Sequence, residues 1–151
     1  LYTISGDVPD DEYLVPFGKA RIVSEGNDCT LVATGRMVSF CENAAQALAE
    51  DGITCDIIDP RTTSPLDEDA ILDSVEKTGR LVVVDETPPR CSFAADIAAL
   101  AAGEVFSSLK APVRQITGPH SPVPFAKELE GEFVPSPTKI RDAVSEVVNF
   151  K

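Results

Sequence analysis

Histidine is almost missing from this sequence: His120 is the only one. Tryptophan is absent, there is one methionine, and aromatic residues make up 6%. With a single imidazole, a mixed Cys/His zinc site would have to rest on the four cysteines, Cys29, Cys41, Cys55 and Cys91. These are scattered and form no CxxC pair, so ordinary buried thiols in a reducing, cytoplasmic setting are expected. Basic residues are also scarce: 13 Lys plus Arg face 25 Asp plus Glu, for a net charge of −12. Phosphate contacts need clustered Lys and Arg, so this balance argues against a nucleic-acid partner. An acidic surface suits solubility or docking to a basic partner. No apolar run approaches the roughly 18 residues of a membrane span. No GxGxxG, GxxxxGK[ST] or GxSxG motif occurs, which leaves nucleotide binding and serine hydrolysis without a signature.

What is present reads as one globular domain. The chain has 151 residues, 43% hydrophobic and 25% charged. A domain of that size buries roughly 70% of its unfolded surface and needs no disulfide or metal staple. The start, Leu1 to Gly6, lacks a methionine and a basic leader, and is expected to be an internal cut in a longer chain. Residues 1–19 are acidic and punctuated by Pro9 and Pro16, as in an extended linker arm from an upstream domain. Residues 20–151 then form the domain.

Ala20 to Ser24 suits a short edge strand. Cys29 to Thr34, Ile53 to Ile58, Leu81 to Val84 and Val113 to Thr117 suit further strands, the apolar ones buried on both faces. Ser39 with Glu42 has the spacing of a capping box, and Gly52 marks that helix's end. Ser64 and Pro65 suit a second helix start, with Asp67 near the positive end of its dipole and Gly79 as its stop. Ser92 opens a third helix and Ser136-Pro137 a fourth. In the fourth, Ile140, Ala143, Val144, Val147 and Val148 recur at helical spacing. Residues 118–135 are proline-rich and read as an irregular functional or interface loop. Strands alternating with helices predict an α/β fold: a three-layer α/β/α sandwich on a mostly parallel five-stranded sheet.

In such a sheet, ligands sit beyond the carboxyl ends of the strands. Those ends carry Arg36, then Asp59 and Arg61, then Asp85 and Glu86, then His120. Arg36 and Arg61 are placed to pair with Asp59, Asp85 or Glu86, and Arg61 is expected to reach Asp85 or Glu86. The group reads either as an ion-pair cluster holding loops or a subunit contact, or as a small-anion site. His120 has the right intrinsic pKa for proton transfer but no visible partner. Cys91 stands near a helix start, where a thiol is activated, yet lacks a histidine base nearby in sequence. Glu128 and Glu130 read as solvated charges or as a docking patch for a basic partner.

The segment Asp59-Pro60-Arg61-Thr62-Thr63-Ser64-Pro65-Leu66-Asp67 resembles the D-x-R-T-x-x-P-L-D stretch of transketolase C-terminal domains. Lys77 to Glu86 continues in that manner. Val8 to Tyr13, Pro16 to Ala20, Pro122 to Phe125 and Pro135 to Pro137 are similar to the beta subunits of thiamine diphosphate-dependent 2-oxoacid dehydrogenases. Pro89-Arg90-Cys91-Ser92, Asp96 to Leu100 and Thr117 to Pro122 resemble the acetoin dehydrogenase branch. The resemblance implies a C-terminal assembly domain within an oxidoreductase of alpha and beta subunits. Thiamine diphosphate with its Mg ion belongs to the full enzyme and is not expected on this chain alone. The implied partners are the alpha subunit, a second beta subunit and the subunit-binding domain of the acyltransferase. The ending Val148-Asn149-Phe150 resembles relatives whose C-terminus lies at that last contact. The competing expectation is a free-standing α/β module holding a small anion at Arg36 and Arg61.

Overall fold

The computed structural model describes residues 5–151. The first four residues of the expected arm lie outside this range. Residues 5–20 contain no helix or strand, and their side chains are mostly exposed. The elements that follow are β1 (Arg21–Ser24), β2 (Cys29–Ala33), α1 (Arg36–Glu50), β3 (Cys55–Asp59), α2 (Glu68–Thr78) and β4 (Leu81–Asp85). Then come α3 (Phe93–Glu104), a 3-10 turn at Phe106–Ser108, β5 (Arg114–Thr117), α4 (Lys127–Phe133) and α5 (Pro137–Val148).

The five strands form one sheet in the order β1-β3-β2-β4-β5. β2, β3, β4 and β5 run parallel, and β1 is an antiparallel edge strand on β3. Alternation along the strands sends successive side chains to opposite faces. Leu31, Ala33, Ile57, Val82 and Val84 therefore pack with Met37, Cys41 and Leu48 of α1 and Ile140 and Val144 of α5. Val32, Ile58, Leu81 and Val83 pack on the other face with Ile71 and Val75 of α2 and Ile97 and Ala101 of α3. The result is the three-layer sandwich. Helices cover both faces of β2 and β4, so every residue of these two strands is buried and all but Thr30 and Asp85 are apolar.

Two helix starts differ from the sequence expectation. α1 begins at Arg36 with Gly35 (φ 56°) before it, not at Ser39. Met37 is fully buried and draws the earlier turn into the core. The Ser39 hydroxyl donates to the Arg36 carbonyl (2.9 Å) from inside the helix. Likewise α2 starts after Asp67, not at Ser64. The Pro65 carbonyl accepts the Thr62 hydroxyl (2.8 Å), which keeps residues 62–65 in a loop. The 118–135 stretch also holds one short helix, α4, anchored by the buried Phe133 against Gly118. Ser92 and Ser136 do cap their helices, accepting from Ala95 N (3.1 Å) and Lys139 N (3.3 Å).

Candidate functional site: the carboxyl edge of the sheet

The parallel strands β2, β3, β4 and β5 bring their carboxyl ends to one edge, and each end is followed by a loop that must satisfy its own backbone. At the end of β4, Asp85 is buried (4% exposed). Its Oδ1 accepts the Thr87 amide (3.0 Å), and its Oδ2 accepts the Thr87 hydroxyl (2.7 Å) and the Ala94 amide (3.3 Å). The carboxylate thus folds the loop back and meets the positive end of α3. At the end of β2, the Arg36 guanidinium pairs with Glu86 (2.7 Å) and lies over the Phe40 ring at 5.9 Å. Both partners are substantially solvated, with side chains 36% and 48% exposed. At the end of β3, Asp59 Oδ1 accepts the Arg61 backbone amide (3.0 Å) and holds Arg61 at φ 60°.

The edge therefore gathers Arg36, Asp85 and Glu86 in one place, with Asp59 at the end of the neighbouring β3 and Arg61 in the loop after it. The pairing expected between Arg61 and Asp85 or Glu86 is not made. Asp85 is already committed to backbone amides and Thr87, Glu86 is taken by Arg36, and the exposed Arg61 enters no ion pair among the described residues. This weakens the anion-site reading, because one of its two guanidinium groups already has a carboxylate partner. His120 is exposed and joins none of these hydrogen bonds among the described residues. Phe150, half exposed, lies at the other end of the sheet. There it lines an apolar groove of about 480 Å³ with Ala102, Phe106, Leu109 and Pro112, beside the amino end of β5.

The more elaborate polar cluster is one that sequence reasoning missed. Asp56 on β3 is 4% exposed. It accepts the Gly26 amide (2.7 Å) and the Ser74 hydroxyl (2.6 Å), and pairs with Lys77 at 2.5 Å. Thr30 links Ser74 (2.7 Å) to Thr78 (2.8 Å) behind it. Burial alone raises the Asp56 pKa, but hydrogen bonds from Lys77, Ser74 and Gly26 outweigh it and hold the carboxyl below its ordinary value. The available signal was a carboxylate inside an apolar strand, with Ser74 and Thr78 one helical turn apart on the facing helix. Burial pushes the thiols of Cys41 and Cys55 up to about 12, and that of Cys29 well up, so these three are inert; Cys91 is exposed.

A metal-bound diphosphate needs converging oxygen donors with free lone pairs. Among the described residues no three His, Cys, Asp or Glu side chains gather to hold a metal ion. The buried Asp85 is saturated by loop contacts. The residues at this edge do not fit thiamine diphosphate and its metal. No helix among the described residues is long and apolar enough to cross a membrane.

Layer order and strand order define the fold, and comparison with known proteins defines the family. The pattern of the transketolase, C-terminal domain family matches residues 18–140, and the chain belongs to that family. It is 51% identical over 147 residues to the acetoin:2,6-dichlorophenolindophenol oxidoreductase subunit beta of Bacillus subtilis (strain 168), covering 97% of this chain and 43% of that protein. It is 40% identical to the pyruvate dehydrogenase E1 component subunit beta of Rickettsia bellii, covering 100% of this chain and 46% of that one. The chain thus spans less than half the length of these curated relatives. A split-gene transketolase, an inactive beta4 tetramer, superposes with a TM-score of 0.79 over 96% of this chain and 45% of its own; at 23% identity it shows the shared fold alone.

Proposed function

We propose that this chain is the C-terminal assembly domain of the beta subunit of a thiamine diphosphate-dependent dehydrogenase acting on acetoin or a 2-oxoacid. The observation that carries the reading is the 51% identity along 97% of the chain to an acetoin oxidoreductase beta subunit. The character of the sheet edge supports it: Asp85, Glu86 and Arg36 are consumed in tying loops and a helix end together. Residues 1–19 serve as the arm from an upstream domain, and residues 20–151 as the assembly unit. Exposed Tyr13, Leu14 and Phe17 on the arm, and Val123, Phe125 and Leu129 in the 118–135 stretch, are apolar side chains suited to subunit contacts.

In the whole enzyme, thiamine diphosphate with Mg supplies the electron sink for carbon–carbon cleavage, bound outside this domain. The contribution of these residues is rigidity and placement: they hold alpha against beta and beta against beta, so that the acyl unit is delivered to a lipoyl group. The acyltransferase's subunit-binding domain docks at the groove beside Phe150, and the acidic charge of this chain steers that basic partner. The assembly works in the cytoplasm, where Cys29, Cys41, Cys55 and Cys91 remain thiols.

Domain exchange tests this. The present chain replaces the matching segment of the Bacillus subtilis beta subunit, which is then produced together with its alpha subunit. The expected product is a complex containing both subunits that reduces dichlorophenolindophenol with acetoin. A chimaera that folds but never binds alpha would refute the assembly role. One that binds alpha and retains acetoin oxidation would support the role whichever substrate this chain's own enzyme takes, since the reaction centre in the chimaera is supplied by the Bacillus segments.

A further inference from the structure

We propose that the loop from Thr62 to Asp67 is a clamp, with Thr62 and Asp67 as positioning residues that hold Gly18 and Ala20 and fix the direction in which the arm leaves the domain. The contacts lie at the junction of arm and β1. The Gly18 amide donates to Thr62 Oγ1 (2.9 Å), and that hydroxyl donates onward to the Pro65 carbonyl (2.8 Å), so both its roles are used and its rotamer is set. Two residues later, the Ala20 amide donates to Asp67 Oδ2 (2.8 Å), while Lys19 Nζ lies 3.7 Å from Oδ1.

Asp67 makes the case specific. It occupies the N-cap position of α2, where an Asp side chain ordinarily accepts an amide of the first helical turn. Here it accepts none, and its buried carboxylate (8% exposed) turns to the arm instead. A helix cap has been given up for a contact to a segment 47 residues away in sequence. Gly18 fits the same design. It has φ +66°, and a Cβ there would lie 3.2 Å from Pro65 Cγ, so the arm passes close over the loop in a turn that favours glycine. Beyond Gly18 the arm carries Phe17 and Leu14 outward, 84% and 78% exposed. The clamp thus sets where those side chains point, and the inference holds whatever whole protein the arm connects to.

Trypsin reads the clamp directly in the 151-residue chain. The Lys19 side chain is 66% exposed and available to the protease, but the Lys19–Ala20 bond must leave its hydrogen bonds to enter an active site. In native buffer, Thr62→Val and Asp67→Ala are each expected to speed cleavage after Lys19 about fivefold to tenfold, the worth of one hydrogen bond. Thr62→Ser, which keeps the hydroxyl, retains the protection. Cleavage after Arg21, inside the paired β1, stays slow in all of them, which separates release of the arm from global unfolding. Amide exchange in the unaltered chain supplies a second reading if a variant does not fold: Gly18 and Ala20 are expected to be protected. Unprotected exchange at both amides, or cleavage after Lys19 that Thr62→Val and Asp67→Ala leave unchanged, would overturn the clamp.

Discussion

Asp56 ties β3 to the Gly26 turn and to α2. Its removal in Asp56→Ala leaves the buried Gly26 amide unpartnered and takes one hydrogen bond from Ser74, which keeps Thr30, and the ion pair from the part-exposed Lys77; it should cost about 1–3 kcal/mol in urea unfolding. The solvated Arg36–Glu86 pair is different: Glu86→Gln should cost less than about 1 kcal/mol. Asp28 shares the acid-side behaviour of Asp56, its carboxyl lowered chiefly by hydrogen bonds from the backbone and side chain of Thr54. A carboxyl whose folded pKa is depressed contributes fully above its unfolded value and loses that contribution as pH falls through the folded one. Both lie below the ordinary 3.8, so unfolding free energy should decline below about pH 4, and Asp56→Asn should shrink that decline. Gly26 is a steric requirement of the same cluster, since a Cβ there would fall on the backbone of Thr54 and Cys55. At neutral pH an alkylating reagent should modify Cys91 alone in the folded chain and all four thiols in urea, as read by mass. Labelling of Cys41 or Cys55 at the Cys91 rate would contradict the burial of the α1–sheet core.

Among the elements, the sheet and most helices were legible in sequence because period and composition agree with burial. β2 and β4 are buried throughout and apolar except for Thr30 and Asp85, as helices cover both their faces, and the α5 stripe matches its buried side. Helix starts were less legible, since Ser-rich cap signals are local and tertiary contacts override them. Ser39 had the capping spacing, but the burial of Met37 moved the start; Ser64 had a favourable Pro, but Thr62 and Asp67 were engaged by the loop and the arm. Accordingly Ser92→Ala should lose about 1 kcal/mol in thermal or urea unfolding, whereas Ser39→Ala should stay within about 0.5 kcal/mol. Equal costs would reinstate Ser39 as a cap. Arg80 was invisible as a structural residue, because its targets are carbonyls. Its Nε donates to Val147 O (3.0 Å) and its Nη2 to Val148 O (3.4 Å), closing the end of α5 against the sheet.

At the scale of the molecule, strand order put Arg36 within reach of Asp59, Asp85 or Glu86, and it pairs with Glu86, whereas the pairing expected for Arg61 is not made. Which carboxylate a guanidinium meets depends on loop paths: Arg36 reaches Glu86, while Arg61 is turned outward at positive φ. The functional reading rests instead on likeness along nearly the whole chain, and on a sheet edge whose charged groups are largely spent on structure. If acidic charge steers a basic acyltransferase domain to the groove beside Phe150, their affinity should fall as salt screens it, and unchanged affinity from low to high salt would count against steering. The most direct test of the assembly role is turnover by this chain alone. With thiamine diphosphate, Mg and either acetoin or pyruvate, the purified 151 residues should leave dichlorophenolindophenol blue; sustained bleaching above the protein-free rate would mean that the reaction centre lies inside this domain after all.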